Sequence, residues 1–146
     1  MGHEVTVEID ATPEQVWSVL EDVERWPRWS PTMTSGRRLD DGPFGRDSTA
    51  EVRQPRLPKN AWRVSRFEPG RRFEWVTSAP GVTIRADHRI VALANHRSRV
   101  TLTIAESGVL SRLIAPLSGP FTHRYLTLEA AGLKKRCEAD PQHSTG

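Results

Sequence analysis

From about residue 33 to Glu106 the apolar residues of this chain recur with a period of two. Only one later segment, from about Val109 to Cys137, is long enough to cover the surface such a pattern creates. Period two marks strands with one buried face. The spacing predicts strands near 33–40, 46–54, 60–68, 71–79, 82–94 and 97–106, separated by "DDGPFG", "QPRLPK", "EPGR", "SAPG" and "ANHRS". These separators carry the glycines, prolines and asparagines that turns require. An earlier strand, "HEVTVEID", sets Val5, Val7 and Ile9 against Glu4, Thr6 and Glu8. The prediction is an α+β fold: a curved antiparallel sheet of about seven strands around a long C-terminal helix.

Between the first strand and the rest lies "ATPEQVWSVLEDV". Thr12 as N-cap, Pro13 at the first helical position and Gln15 closing a capping box predict a helix start there. Val16, Leu20 and Val23 follow at helical spacing, and Pro27 and Pro31 prevent a long continuation. "VERWPRWSP" is therefore a second short helix or turn. In the last helix the expected apolar stripe is Leu110, Leu113, Ile114, Leu117, Phe121, Tyr125, Leu128 and Ala131. Pro116 and Pro120 predict a kink or break, and Leu126 and Leu133 fall off the stripe. Residues 1–137 read as a single ligand-binding domain and 138–146 as a disordered polar tail.

Charge and composition exclude several classes of function. The 146 residues include 36% hydrophobic and 27% charged ones, the balance of an ordinary globular chain. The net charge is +3, but the arginines are scattered among carboxylates in nothing denser than short groups, so no nucleic-acid partner is expected. No run approaches the roughly 20 apolar residues of a membrane span, and the N-terminus alternates, which gives a cytoplasmic expectation. Cys137 is the single cysteine, and His88, His96 and His123 lack zinc-like spacing, so the expected metal is none.

The stretches "VEIDATPEQVWSVLEDVERWPRWSP", "RVSRFEPGRRFEWV", "SRVTLTIAESG" and "VLSRLIAPL" carry a resemblance over about residues 4 to 137. In order and spacing the chain resembles the SRPBCC superfamily. This helix-grip group contains START lipid-transfer domains, birch-pollen-allergen-like proteins and bacterial polyketide cyclase/dehydrase-like proteins. The resemblance implies an elongated cavity between sheet and last helix. Members bind lipids, hormones or polyketides there, and some cyclise or dehydrate a polyketide. It implies no shared cofactor or metal.

Within that frame the candidate ligand-binding residues are Trp29, Trp62, Arg66, Trp75, His88, Phe121 and Tyr125. Three tryptophans, Trp17, Trp26 and Trp29, crowd into thirteen residues. They plug the end of a core or close the end of a cavity, with Trp29 as the ligand contact. Trp62, Val64 and Arg66 alternate onto one face of their strand, and Phe73, Trp75 and Thr77 onto one face of the next. An inward arginine needs a carboxylate or anionic ligand, whereas a bulge before Phe67 turns Arg66 to solvent. His88 shares a face with Ile84, Ala86 and Ile90, as a satisfied core histidine or as a ligand or catalytic group. Glu106 continues the inward phase of Val100, Leu102 and Ile104 at a strand end.

Two functions share the cavity. One is the binding of a small, largely apolar, lipid- or polyketide-like molecule. The other is a cofactor-independent polyketide cyclase, aromatase or dehydratase, with Arg66 polarising an oxygen and His88 moving a proton as its catalytic residues. A remoter third is a protein-interaction module of co-chaperone type. Leu126 and Leu133, if exposed, would form its surface, or that of a weak homodimer of an otherwise monomeric protein.

Overall fold

The structure is a computed structural model. It describes residues 2–55 and 59–139, apart from the side chains of residues 112–121. The elements run β1 (Gly2–Ile9), α1 (Pro13–Leu20), a 3-10 helix (Val23–Arg28), β2 (Ser35–Arg38), β3 (Thr49–Arg53), β4 (Asn60–Glu68), β5 (Arg72–Ala79), β6 (Val82–Leu93), a 3-10 turn (Ala94–His96), β7 (Arg97–Ser107) and α2 (Ser111–Ala139). The seven strands form one antiparallel sheet in the order β1-β7-β6-β5-β4-β3-β2. Its inner face packs on α1, the 3-10 helix and α2, the helix-grip arrangement in which one long helix closes a curved sheet.

Local chemistry sets these boundaries. The Thr12 side chain accepts from the Gln15 N–H at 3.2 Å, and the Gln15 side chain accepts from the Thr12 N–H at 2.7 Å, so the predicted capping box starts α1. β2 and β3 are shorter than their sequence pattern. Asp40 accepts from the Thr49 N–H at 2.8 Å, and Asp47 has a left-handed φ of 69°. A side chain and a turn thus replace ladder bonds over 39–48. The β6–β7 connection bends through Asn95 and His96, both at positive φ.

The C-terminal helix corrects the sequence reading. Its assignment is unbroken across Pro116 and Pro120 and extends past Cys137 to Ala139. Its buried apolar residues among those described are Leu126, Ala130, Leu133 and Cys137, with Leu133 fully buried. Leu126 and Leu133 are therefore core residues, and the dimer or interaction surface expected of them does not exist. The stripe extended from Leu113, Leu117 and Phe121 would bury Tyr125, Leu128 and Ala131, of which Ala131 is exposed and the other two are only half-buried. The 4-3-4 spacing of the four buried residues is itself a helical stripe, rotated from the predicted one. The side chains of Leu113, Ile114, Leu117 and Phe121 lie outside the described residues, as do residues 140–146 of the predicted tail. Glu138 is ordered by its bonds to the Asp10 N–H and to Lys134. No helix among the described residues is long and apolar enough to cross a membrane.

Candidate functional site

The inner face of the sheet carries an aromatic layer. Phe73 and Trp75 on β5, Trp62 on β4 and His88 on β6 alternate inward and are buried. Trp26 of the 3-10 helix comes down on them, with ring centroids 5.4 Å from both Trp75 and His88. Its indole N–H donates to the Leu20 carbonyl at 2.9 Å, tying the end of α1 to the layer. Trp62 and Trp75 lie 5.5 Å apart. Such offset and tilted contacts are the favourable geometry for aromatic quadrupoles.

Between this layer and α2 is a cavity of about 50 Å³, walled by Trp26, Trp62, Trp75, His88, Leu126 and Glu129. Met33, Thr32, Gln54 and Leu102 are among the residues at its sides. It has room for a few water molecules or the end of a ligand, against roughly 300–1,000 Å³ for a pocket enclosing a whole drug-sized molecule. Gln54 brings the start of "QPRLPK" to the cavity, but residues 56–58 lie outside the described ones, and the turn "SAPG" does not line it.

Two ionisable groups meet in this cavity. His88 stacks on its cross-strand neighbour Phe73, with centroids 4.2 Å apart and planes 14° from parallel. Its Nδ1 faces the Phe73 carbonyl at 3.1 Å, and since a carbonyl only accepts, that nitrogen carries the proton. Nε2 is left as an acceptor and lies 3.9 Å from Oε2 of Glu129. Burial lowers the His88 pKa to about 4, against the opposing effects of the Phe73 carbonyl and Asp87. Burial raises Glu129 to about 7. The imidazole is therefore neutral at neutral pH, and the carboxyl changes charge near it. Trp62 adds a third polar group: its indole N–H is buried with no acceptor among the described residues. On the far side of β6, Asp87 accepts from Nε of both Arg72 and Arg89 at 2.9 Å, and these bonds hold its pKa low despite burial. It also accepts from the His88 backbone N–H at 3.1 Å, fixing the strand behind the imidazole.

The candidates named from sequence separate clearly. Trp62, Trp75 and His88 line the cavity together. Arg66 does not: the register shifts between Val64 and Arg66, and the bulge turns Arg66 to the exposed face opposite Glu74. This corrects the inward reading of "WRVSR", since the extra residue, Ser65, inverts the alternation. Trp29 is half-buried and outside the cavity, so Trp26 occupies the position expected of it. Tyr125 is also absent from the lining, and its hydroxyl donates to the Pro55 carbonyl at 3.2 Å. Phe121 lies outside the described side chains. Glu106 is on the inward side of β7, and its Oε2 is buried without a partner among the described residues. Sequence reasoning missed Glu129. The signal was the stripe 126–130–133–137, which places residue 129 on the flank of the buried face.

The fold and the sequence both have relatives. Among solved structures, the Zhui aromatase/cyclase from Streptomyces sp. R1128 superposes with a TM-score of 0.79 at 18% identity, over 100% of this chain and 98% of that one. A START superfamily protein from Mycobacterium smegmatis gives a TM-score of 0.73 at 18% identity, over 94% and 97%. At these identities the likeness is one of fold. An uncharacterized protein of Mycobacterium tuberculosis is 41% identical over 47 residues, 32% of this chain, and the match spans 28% of that relative's length. The family model described as polyketide cyclase / dehydrase and lipid transport matches residues 3–138. With that match across nearly its whole length, the chain belongs to the polyketide cyclase / dehydrase and lipid transport family.

Proposed function

We propose that the protein binds a small, largely apolar molecule bearing an oxygen, with its polar end in the cavity between the sheet and α2. The observation that carries this reading is the buried indole N–H of Trp62 on the cavity wall, which has no partner among the described residues. A buried donor without an acceptor costs on the order of 1–3 kcal/mol, which a ligand oxygen would recover. His88 Nε2 and the Glu129 carboxyl complete a polar end of one donor, one acceptor and one group that can be either. The indoles of Trp26 and Trp75 offer flat apolar walls. The cavity holds only part of such a ligand, so the apolar remainder needs space opened along the helix–sheet seam. Native mass spectrometry of freshly purified protein tests this. A retained small molecule of about one per chain, lost in Trp75→Ala, is the expected result. A bare chain under conditions that preserve the fold opposes it.

A second reading, a dehydratase or cyclase, is favoured by the His88–Glu129 pair. A neutral imidazole nitrogen can take a proton from carbon beside a carbonyl, and a protonated carboxyl can give one to a departing hydroxyl. The proton removed passes to His88 Nε2, the carbon–oxygen bond breaks, water leaves with the Glu129 proton, and transfer of the proton from Nε2 to the Glu129 carboxylate 3.9 Å away restores both groups. Arg66 has no part in this, because it faces away. With a β-hydroxy ketone as substrate, Glu129→Gln would lower turnover by roughly 10²–10⁴ while binding survives. Binding without turnover in the native protein would leave the carrier reading alone.

A further inference from the structure

The segment "RWPRW" meets the last helix at a second place, on the outside of the molecule. A 3-10 helix has three residues per turn, so Arg25 and Arg28 share a side, whereas Trp29, three after Trp26, is the C-cap, with a non-helical φ of −127°, and leaves the helix. Trp26 faces inward, whereas Arg25, Arg28 and Trp29 open toward α2 and enclose a cleft of about 140 Å³ with Arg136. The cleft has a fixed geometry. The carbonyl oxygen of Trp29 sits so close to Gly132 that a Cβ there would lie 2.1 Å from it. Gly132 thus lets the two backbones touch, and Arg136, one turn further along α2, is brought to the cleft wall.

Among the described residues one carboxylate, Asp22, lines the cleft, and it is ion-paired to Arg25. Arg28 makes no ion pair or hydrogen bond among the described residues. Beside it, Trp29 is half-buried and lines the cleft, with the Trp26 ring 5.2 Å away. Guanidinium groups pair with oxyanions in a planar, bidentate manner, and an indole face accepts a flat ring.

We propose that this cleft is a binding site, separate from the inner cavity, for an aromatic carboxylate. The carboxylate lies against Arg28, and the ring lies beside Trp29. The site does not depend on the inner cavity being a ligand site, because it shares no lining residue with it.

The test is a nuclear magnetic resonance titration of the ¹⁵N-labelled full chain, following the tryptophan indole N–H signals. The Trp29 signal is identified by its loss in Trp29→Phe. The probes are benzoate, inorganic phosphate and benzyl alcohol. Benzoate is expected to shift Trp29 saturably with a dissociation constant near the millimolar range, leaving the Trp62 and Trp75 signals in place. Phosphate is expected to bind more weakly, and benzyl alcohol not at all. Arg28→Gln, at an exposed position, should weaken benzoate about tenfold, the loss of one charge-assisted contact. The proposal is overturned if benzoate causes no saturable shift at Trp29 up to about ten times that concentration. It is also overturned if Arg28→Gln binds benzoate unchanged, if benzyl alcohol or phosphate binds as well as benzoate, or if Trp62 or Trp75 responds first.

Discussion

His88 Nε2 and Glu129 Oε2 face each other across 3.9 Å, one from β6 and the other from α2, so each reports on whether helix and sheet are closed upon one another. Burial shifts the two groups in opposite senses, His88 down to about 4 and Glu129 up to about 7. Their effects on stability therefore oppose each other. Between about pH 4 and 6.5 the unfolded chain protonates His88 and the folded one does not, so this group makes stability rise with pH. Between about pH 4.5 and 7 the folded protein keeps a proton on Glu129 that the unfolded chain has lost, so this group makes stability fall with pH.

The consequence is an unmasking. In Glu129→Gln the falling contribution disappears, and denaturant unfolding should show stability rising from about pH 4.5 to 6.5. The variant should exceed the native protein most at about pH 8, by on the order of 3 kcal/mol, with the gap closing toward pH 4.5. A gap independent of pH would show that Glu129 is not buried as described.

Gly132→Ala should destabilise the protein although alanine is the better helix former. The added Cβ would meet the Trp29 carbonyl at 2.1 Å, and that atom is backbone, so the 3-10 helix must move off α2. The cost of such overpacking, about 1–3 kcal/mol, exceeds the gain of roughly 1 kcal/mol from replacing a helical glycine. A denaturant midpoint at or above that of the native protein would contradict the close contact.

Truncations should separate core from surface. Leu133→Ala removes a fully buried side chain and should cost about 2–5 kcal/mol. Arg66→Ala, on the exposed side of the bulge, should change stability by less than about 0.5 kcal/mol and leave ligand binding unaltered. Thermal unfolding of both variants checks this, and a large effect of Arg66→Ala would restore the inward reading of that strand.

The architecture was legible because its signals are local and repeated. Alternation in "TIRADHRI" and "RVTLTI" fixes faces residue by residue, and Thr12, Pro13 and Gln15 mark a helix start within four positions. The site was legible only where that alternation ran undisturbed, at Trp62, Trp75 and His88. One extra residue, Ser65, reverses the face of Arg66, and the residues of "WRVSRF" alone left the inward strand and the bulge both open. In α2 the stripe extended from its first half chose the wrong face of the second half, which hid Glu129 and exposed Leu126 and Leu133 on paper only. Whether Trp26 or Trp29 looks inward depends on how a short 3-10 helix docks on α2, a tertiary contact through Gly132 that sequence spacing does not encode.

The central claim is that the polar end of the cavity, formed by Trp62, His88 and Glu129, receives an oxygen of a largely apolar ligand. The most direct measurement is the shift of the Trp62 indole N–H signal, together with the His88 ring nitrogens, on titration with acetone, pentanone and nonanone. The account predicts a saturable downfield shift at Trp62, affinity rising with chain length, and about tenfold weaker binding in Trp62→Phe, which keeps a ring and loses the donor. Ketone binding that leaves Trp62 and His88 unmoved, or that is unchanged in Trp62→Phe, would contradict it.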